Sequence, residues 1–207
     1  MLVDVTMPIR SGAVFRRGTP PVDVSVRKFY HGSEGEYESA LLSMPAHAAT
    51  HVDLVFSGKT VSLDRMIGPG KLIDVRQFRS PLIGLADVEG QIEVSAGDFV
   101  FFRTGWDRFA GTERYFEHPE LSLEVVDWLI SKKINAVGID ALGLGRDRRH
   151  GEYDRLLAGN EVFVIENLVN LARLEARVFK VYCFPLKLDD INAIPARVVI
   201  ETDPTHP

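Results

Sequence analysis

The sequence predicts an α/β protein with many strands and few helices. Three observations carry that expectation. Short β-branched or aromatic runs, bounded by Gly, Pro or Asp, recur along the whole chain. Helices are fewer, and residues 121–133 form the clearest of them. That helix lies between strand-like runs, an order that marks a crossover unit and hence a partly parallel sheet.

The elements follow in order. LVDVTMPI (2–9) alternates and is β-branched. ESALLSMPAHAATHVDLV (38–55) reads as extended with punctuation, and SLDRMIG (62–68) fits a short helix. KLIDVR (71–76) and DFVFFRTG (98–105) are short apolar strands. In the helix over 121–133, Ser122 serves as N-cap, and Val126, Leu129 and Ile130 give an apolar stripe. Lys132 and Lys133 close it, where the helix dipole favours cations. NAVGIDAL (135–142), EVFVIENL (161–168), VFKVYCFPLKL (178–188) and ARVVIE (196–201) are strands, and EYDRLLAG (152–159) is a second helix. Loops at 10–21 and 105–118 are long enough to wall a pocket. Neither repeat nor linker divides the chain, so residues 1–207 form one domain.

Composition narrows the function. The 207 residues are 45% hydrophobic and 26% charged, ordinary for a globular protein. A single cysteine, Cys183, rules out an intramolecular disulfide and a Cys-based zinc site, and fits a reducing, cytoplasmic setting. The net charge of -5 argues against nucleic acid. The basic run Arg146-Asp147-Arg148-Arg149-His150 reads as a solvated loop. The N-terminus reads as a strand, not a signal peptide, and no apolar run approaches the roughly 18 residues that cross a bilayer. The expected partner is a small-molecule substrate, with neither nucleic acid nor membrane.

The stretch HAATHVD (47–53) holds two of the six histidines and an aspartate. On a helix His47 and His51 share a face, but Asp53 points away. In a straight strand all three share a face, but His47 and His51 stand about 13 Å apart. Ligand atoms on one ion lie only about 3–3.5 Å from each other, given metal–ligand distances of about 2 Å. The segment chelates only if the chain bends at Ala48-Ala49-Thr50. Otherwise both histidines are hydrogen-bonded core or rim residues.

HAATHVD resembles the H-x-G-T-H-x-D core of the cyclase family of metal-dependent hydrolases, which includes bacterial kynurenine formamidases and isatin hydrolases. Further segments are similar to family motifs in the same order: VDVTMPI, GDFVFFRTGW, LSLEVVDWLISKKINAVGIDAL, DRLLAGNEVFVIENLVNL and FPLKLDDINAIPARVVI. The resemblance implies a swivelling β/β/α-type fold, a mixed sheet with few helices, and a homodimer or homotetramer in which a neighbour's loops close the pocket.

The departures are as informative. The family pattern continues to a proline and a third histidine, where this chain has Val55 and Ser57; Ala49 stands for the family's glycine. A fourth family histidine, twelve residues before the glutamate of the I-E-N-L segment, corresponds to Asp154, and that glutamate is Glu166. The resemblance therefore implies one whole metal site, His47, His51 and Asp53, for a divalent ion such as Zn or Mn. A second site would keep Asp53, Glu166 and Asp154 but neither family histidine, so it is expected to be weak or absent. His150 reads as an exposed loop histidine; were 150–157 helical, it would share a face with Asp154 and partly replace the missing imidazole. His31, His118 and His206 have weaker cases.

Asp154 and Glu166 are the candidates to move protons, since Ser57 cannot do so unaided at neutral pH. Glu166 lies in an apolar run and needs a cation, either a metal or an arginine such as Arg103 or Arg197. Trp106 suits pocket and core equally, and Phe15, Phe29 and Tyr30 could stack on an aromatic substrate. The expected activity is hydrolysis of a small-molecule C–N bond, arylformamidase-like. The alternatives are a related lactam or lactone hydrolase or cyclase, and a metal- or ligand-binding protein without catalysis.

Overall fold

The computed structural model describes residues 1–54, 62–78 and 80–202. Its twelve strands are β1 (Leu2–Asp4), β2 (Asp23–His31), β3 (Gly35–Ser43), β4 (His51–Asp53), β5 (Ile67–Asp74), β6 (Leu82–Ile83), β7 (Phe99–Arg103), β8 (Glu120–Leu121), β9 (Ala136–Ile139), β10 (Phe163–Glu166), β11 (Val178–Pro185) and β12 (Ala193–Glu201). Three α-helices join them: α1 (Leu85–Val88), α2 (Leu123–Ser131) and α3 (Asp147–Gly159).

Seven strands close into a barrel-like ring in the order β12-β11-β5-β7-β9-β10-β4, with β4 pairing back onto β12. β1 pairs with the C-terminal part of β12, along the edge whose N-terminal part pairs with β4. β5, β7, β9 and β10 run parallel, and the remaining pairs of the ring are antiparallel. The parallel stretch is the crossover unit the sequence predicts: α2 links β7 to β9, and α3 links β9 to β10.

Period-two alternation sorts the core. Phe99 and Phe101 of β7 face a cluster with Val52, Phe179, Val181 and Val198. Val100 and Phe102 face outward, onto Val125 and Leu129 of α2 and Leu157 of α3. All four β7 side chains are fully buried, which stabilises the strand by about 1.5–3 kcal/mol each.

Three expectations are corrected. The run 146–150 is not a solvated loop: Arg146 is the N-cap of α3, and residues 147–150 are its first turn. Basic residues at a helix N-terminus oppose the dipole, which hides the helix in the sequence. The buried Glu120 carboxylate supplies the missing anion, accepting from the Arg146 N–H at 2.8 Å and from the Arg146 and Arg149 guanidiniums. The stretch 38–55 divides, because β3 ends at Ser43 and a turn and bend precede β4. Residues 62–68 hold only one 3-10 turn, Leu63–Arg65, before β5 begins. Residues 38–43 of the stretch 38–55 do form the end of β3, whereas β2 escapes a sequence reading because apolar side chains sit on both faces of the hairpin.

No helix among the described residues is long and apolar enough to cross a membrane.

Candidate metal centre

Residues 47–53 bend as chelation requires. A turn and bend cover residues 46–50, Ala49 takes a left-handed φ of 55°, and the three-residue strand β4 follows. An alanine there costs about 1 kcal/mol relative to glycine, which explains why the related pattern carries Gly. A hydrogen-bond network holds the bend. Thr50 Oγ1 donates to the Asn167 carbonyl at 2.6 Å and accepts from Met7 N–H at 2.8 Å. Asn167 Nδ2 donates to the Ala49 carbonyl at 2.9 Å, and Tyr115 Oη donates to Asn167 Oδ1 at 2.6 Å.

The bend brings both histidines onto one carboxylate. His47 Nε2 and His51 Nε2 each lie 3.5 Å from Asp53 Oδ1, with their rings 5.2 Å apart. Strand register adds a fourth group: His51 of β4 stands opposite Glu166 of β10, and Nε2 lies 3.4 Å from Glu166 Oε2. His51 Nδ1 lies 2.9 Å from the Ala49 carbonyl. Donation through Nδ1–H leaves the Nε2 lone pair for a cation, a common arrangement at metal-bound imidazoles. Ligand atoms of His51, Asp53 and Glu166 all lie within 4.8 Å of one another.

Glu166 also faces a second cluster. α3 places His150 and Asp154 one turn apart, with His150 Nε2 3.4 Å from Asp154 Oδ2 and 3.5 Å from Glu166 Oε1. His150 is thus a partly buried helical residue, not an exposed loop histidine. Gly143 lies flush against this cluster: a Cβ there would sit 2.5 Å from His150 Nδ1 and 2.9 Å from Glu166 Oε1. Glu120, by fixing the first turn of α3, positions His150.

These contacts at 3.4–3.5 Å are longer than hydrogen bonds. As a result His51 Nε2, Asp53 Oδ2 and Glu166 Oε1 are buried with no hydrogen-bond partner. Each such atom costs about 1–3 kcal/mol, more when charged. A cation between them removes that cost, so the residues present fit a divalent ion.

The electrostatics agree with a cation site. Burial disfavours the His51 cation, yet Asp53 first and Glu166 next outweigh it and raise its pKa well above 6.5. His47 is lowered, by burial above all. Burial pushes the Asp154 carboxyl up, and the Glu166 charge adds to it. Burial acts upward on Glu166 as well, but His150 and His51 pull it down, so Glu166 is the member of the pair that stays ionised. Arg16, in the loop over 10–21, acts on both His47 and Asp154.

Of the five ligand candidates, His47, His51, Asp53 and Glu166 come together across β4 and β10, and Asp154 of α3 lies in the neighbouring cluster that shares Glu166. Ser57 and His206 lie outside the described residues. Glu166 takes neither proposed arginine: Arg103 pairs with Asp74 and Arg197 with Asp4. His118, placed low among the histidines by its sequence, is buried close enough for the Glu166 and His150 charges to act on it. Phe29 stacks on Tyr37 within the hairpin, and Trp106 packs beside Phe109 with Nε1–H donating to the Arg114 and Tyr115 carbonyls. Thr50, Glu120, Gly143 and Asn167 escaped a reading by residue type; Thr50, between the two histidines, and Asn167, adjacent to Glu166, carry a positional hint. A cavity of about 1020 Å³ lies between the loops over 10–21 and 105–118, with Phe15, Phe116, Arg10 and Arg17 on its walls. Its inner wall, Met7 and Tyr115, packs on Ala49.

The chain as a whole is similar to known proteins. Residues 3–146 match the family model described as putative cyclase. An uncharacterized protein of Methanocaldococcus jannaschii is 32% identical over 181 residues, covering 86% of this chain and 90% of that one. The isatin hydrolase of Roseibium aggregatum is 25% identical over 218 residues, covering 89% and 82%. A solved structure described as a potential metal-dependent hydrolase with cyclase activity superposes with a TM-score of 0.81 at 28% identity, over 98% of this chain and 99% of that one.

Proposed function

The chain belongs to the cyclase family, and from that premise we propose that it is a metal-dependent hydrolase of a small-molecule C–N bond. The observation that carries the reading is the convergence of three buried, partnerless ligand atoms, on His51, Asp53 and Glu166, beside His47. The mixed imidazole and carboxylate set suits Zn or Mn. A divalent ion there would supply an activated water and polarise a carbonyl. The substrate reading is arylformamidase-like: N-formylkynurenine and water give kynurenine and formate.

The chain's own groups move the protons. His47, His51, Asp53 and Glu166 hold the reacting centre, and Glu166 also faces His150. Asp154, whose side chain is 13% exposed, is the proton carrier. The attacking water's oxygen bonds to the carbonyl carbon, and its proton passes through the Asp154 carboxyl. The C–N bond breaks as that proton reaches the leaving nitrogen, a general acid–base role suited to a carboxyl of raised pKa. The aromatic wall of the adjoining cavity suits an aryl substrate.

A second reading, hydrolysis of a lactam such as isatin, is favoured by the identity to the Roseibium aggregatum isatin hydrolase. Parallel assays of metal-loaded protein with N-formylkynurenine and isatin decide between them. Turnover of the first supports the arylformamidase reading, turnover of isatin alone supports the second, and turnover of neither sinks both.

The reading includes a homodimer or homotetramer in the cytoplasm. Among the described residues, β2 and β3 pair only with each other, and Val26, Tyr30, Tyr37 and Leu42 are exposed on them. An isolated hairpin is marginal in water. Two copies related by a two-fold axis would bury these apolar side chains against each other. Light scattering that finds only monomer at micromolar concentration contradicts this part.

A further inference from the structure

The loop over 10–21 carries Arg10, Arg16 and Arg17 and no acidic residue, in a chain whose net charge is -5. It forms one wall of the cavity of about 1020 Å³, with Arg10, Phe15 and Arg17 among the lining groups. Arg17 ties that wall to the facing loop. Its guanidinium donates to Glu113 at 2.9 Å and lies 4.7 Å from the centre of the Phe116 ring. Both acids of the cavity wall are engaged: Glu113 accepts from Arg17, and Asp107 Oδ2 accepts from the Asn170 N–H at 3.1 Å. Among the described residues, the guanidiniums of Arg10 and Arg16 have neither a hydrogen bond nor an ion pair. Arg16 is near enough to the metal centre for its charge to act on His47 and Asp154.

Aromatic walls, acids already held by partners and two unengaged guanidiniums match an aryl ligand that bears an anion. The planar N–H fork of an arginine takes a carboxylate through two parallel hydrogen bonds. We propose that the substrate is an aryl amide carrying a carboxylate, which Arg10 and Arg16 hold while the scissile C–N bond lies at the metal centre. The inference rests on the hydrolase reading above and narrows its substrate class. A neutral aryl amide meets the same aromatic wall but leaves both guanidiniums unengaged. N-formylkynurenine belongs to the class, and uncharged isatin does not.

The test is calorimetric titration of zinc-loaded protein with kynurenine and with kynuramine, the same aryl ketone and amine without the carboxylate. Neither contains an amide, so binding is read apart from turnover. Wild type is expected to bind kynurenine at least about tenfold more tightly, the scale of one charge-assisted contact. The ratio is expected to fall to about one in Arg10→Ala/Arg16→Ala, and to recover in part in Arg10→Lys/Arg16→Lys, which keeps the charge without the fork. Circular dichroism checks that each variant is folded. Equal affinities in wild type, no binding of either compound, or a ratio that survives in the folded double alanine variant overturns the anchor. Turnover of N-formylkynurenine or isatin in the same preparation then leaves the hydrolase reading standing. Tight kynurenine binding without turnover of either amide supports the anchor and sinks the hydrolase reading. Because the wild-type ratio needs no substitution, a variant that fails to fold does not shield the proposal.

Discussion

Replacing Gly143 by alanine tests how closely the site is packed. Gly143 has a φ of 94°, beyond the left-handed region that L-residues tolerate. Holding alanine there costs about 1–3 kcal/mol. The added Cβ would lie 2.5 Å from His150 Nδ1 and 2.6 Å from its Cε1. Ordinary contact needs about 3.5 Å, so the imidazole must retreat by about 1 Å. It cannot do so freely, because Glu120 clamps the helix through Arg146 and Arg149. Overpacking of this kind adds about 1–3 kcal/mol. The two effects together come to about 4 kcal/mol, or roughly 10 °C in Tm for a chain of this size. Circular dichroism melts of ion-free protein measure that loss. Repeating them with Mn²⁺ or Zn²⁺ measures the ion-induced rise, which should shrink in the variant. A Gly143→Ala protein that melts within about 2 °C of wild type and keeps the full ion-induced rise would refute the packing described here.

Other outcomes follow from neighbouring contacts. Glu120→Gln should lower stability by about 2–3 kcal/mol in urea titrations, less than a fully buried pair because Arg149 is half exposed. At Asp74, burial acts upward, but Arg76 and Arg103 hold the carboxyl well below the usual range. Its contribution is therefore present above about pH 3.9 and lost as pH falls through the depressed folded pKa. Asp74→Asn should cost about 1–3 kcal/mol at pH 7, and denaturation curves should show the gap to wild type narrowing as the pH drops below about 4. Because Asp53 and Glu166 keep His51 protonated in ion-free protein, ion binding should release a proton and weaken as pH falls. Calorimetry in buffers of different ionisation enthalpy reads that proton directly, and equal apparent enthalpies would contradict it.

Much of this molecule was legible in its sequence. The strand runs and the helix over 121–133 carry their periods openly, because each has one apolar face to bury. The metal-binding stretch was legible because its chemistry is local: three ligands in seven residues permit chelation only if the chain bends, and it does bend at Ala49. The second cluster was not legible in the same way. His150 belongs to a helix whose first turn carries basic residues against the dipole, and Glu120, 30 residues away in sequence, offsets them. Gly143 and Asn167 act through space they leave or groups they tie down, and neither role follows from residue type. The β2–β3 hairpin lacks a buried face in the single chain, so it carries no hydrophobic period.

The central claim is that His47, His51, Asp53 and Glu166 hold a divalent ion. Metal analysis of purified, unstripped protein tests it most directly, with His51→Ala beside the wild type. At least one zinc or manganese ion per wild-type chain, lost with His51→Ala or with chelator and accompanied by a fall in Tm, is the expected result. Wild-type protein that carries no divalent ion and shows no change in Tm when Zn²⁺ or Mn²⁺ is added would contradict the account.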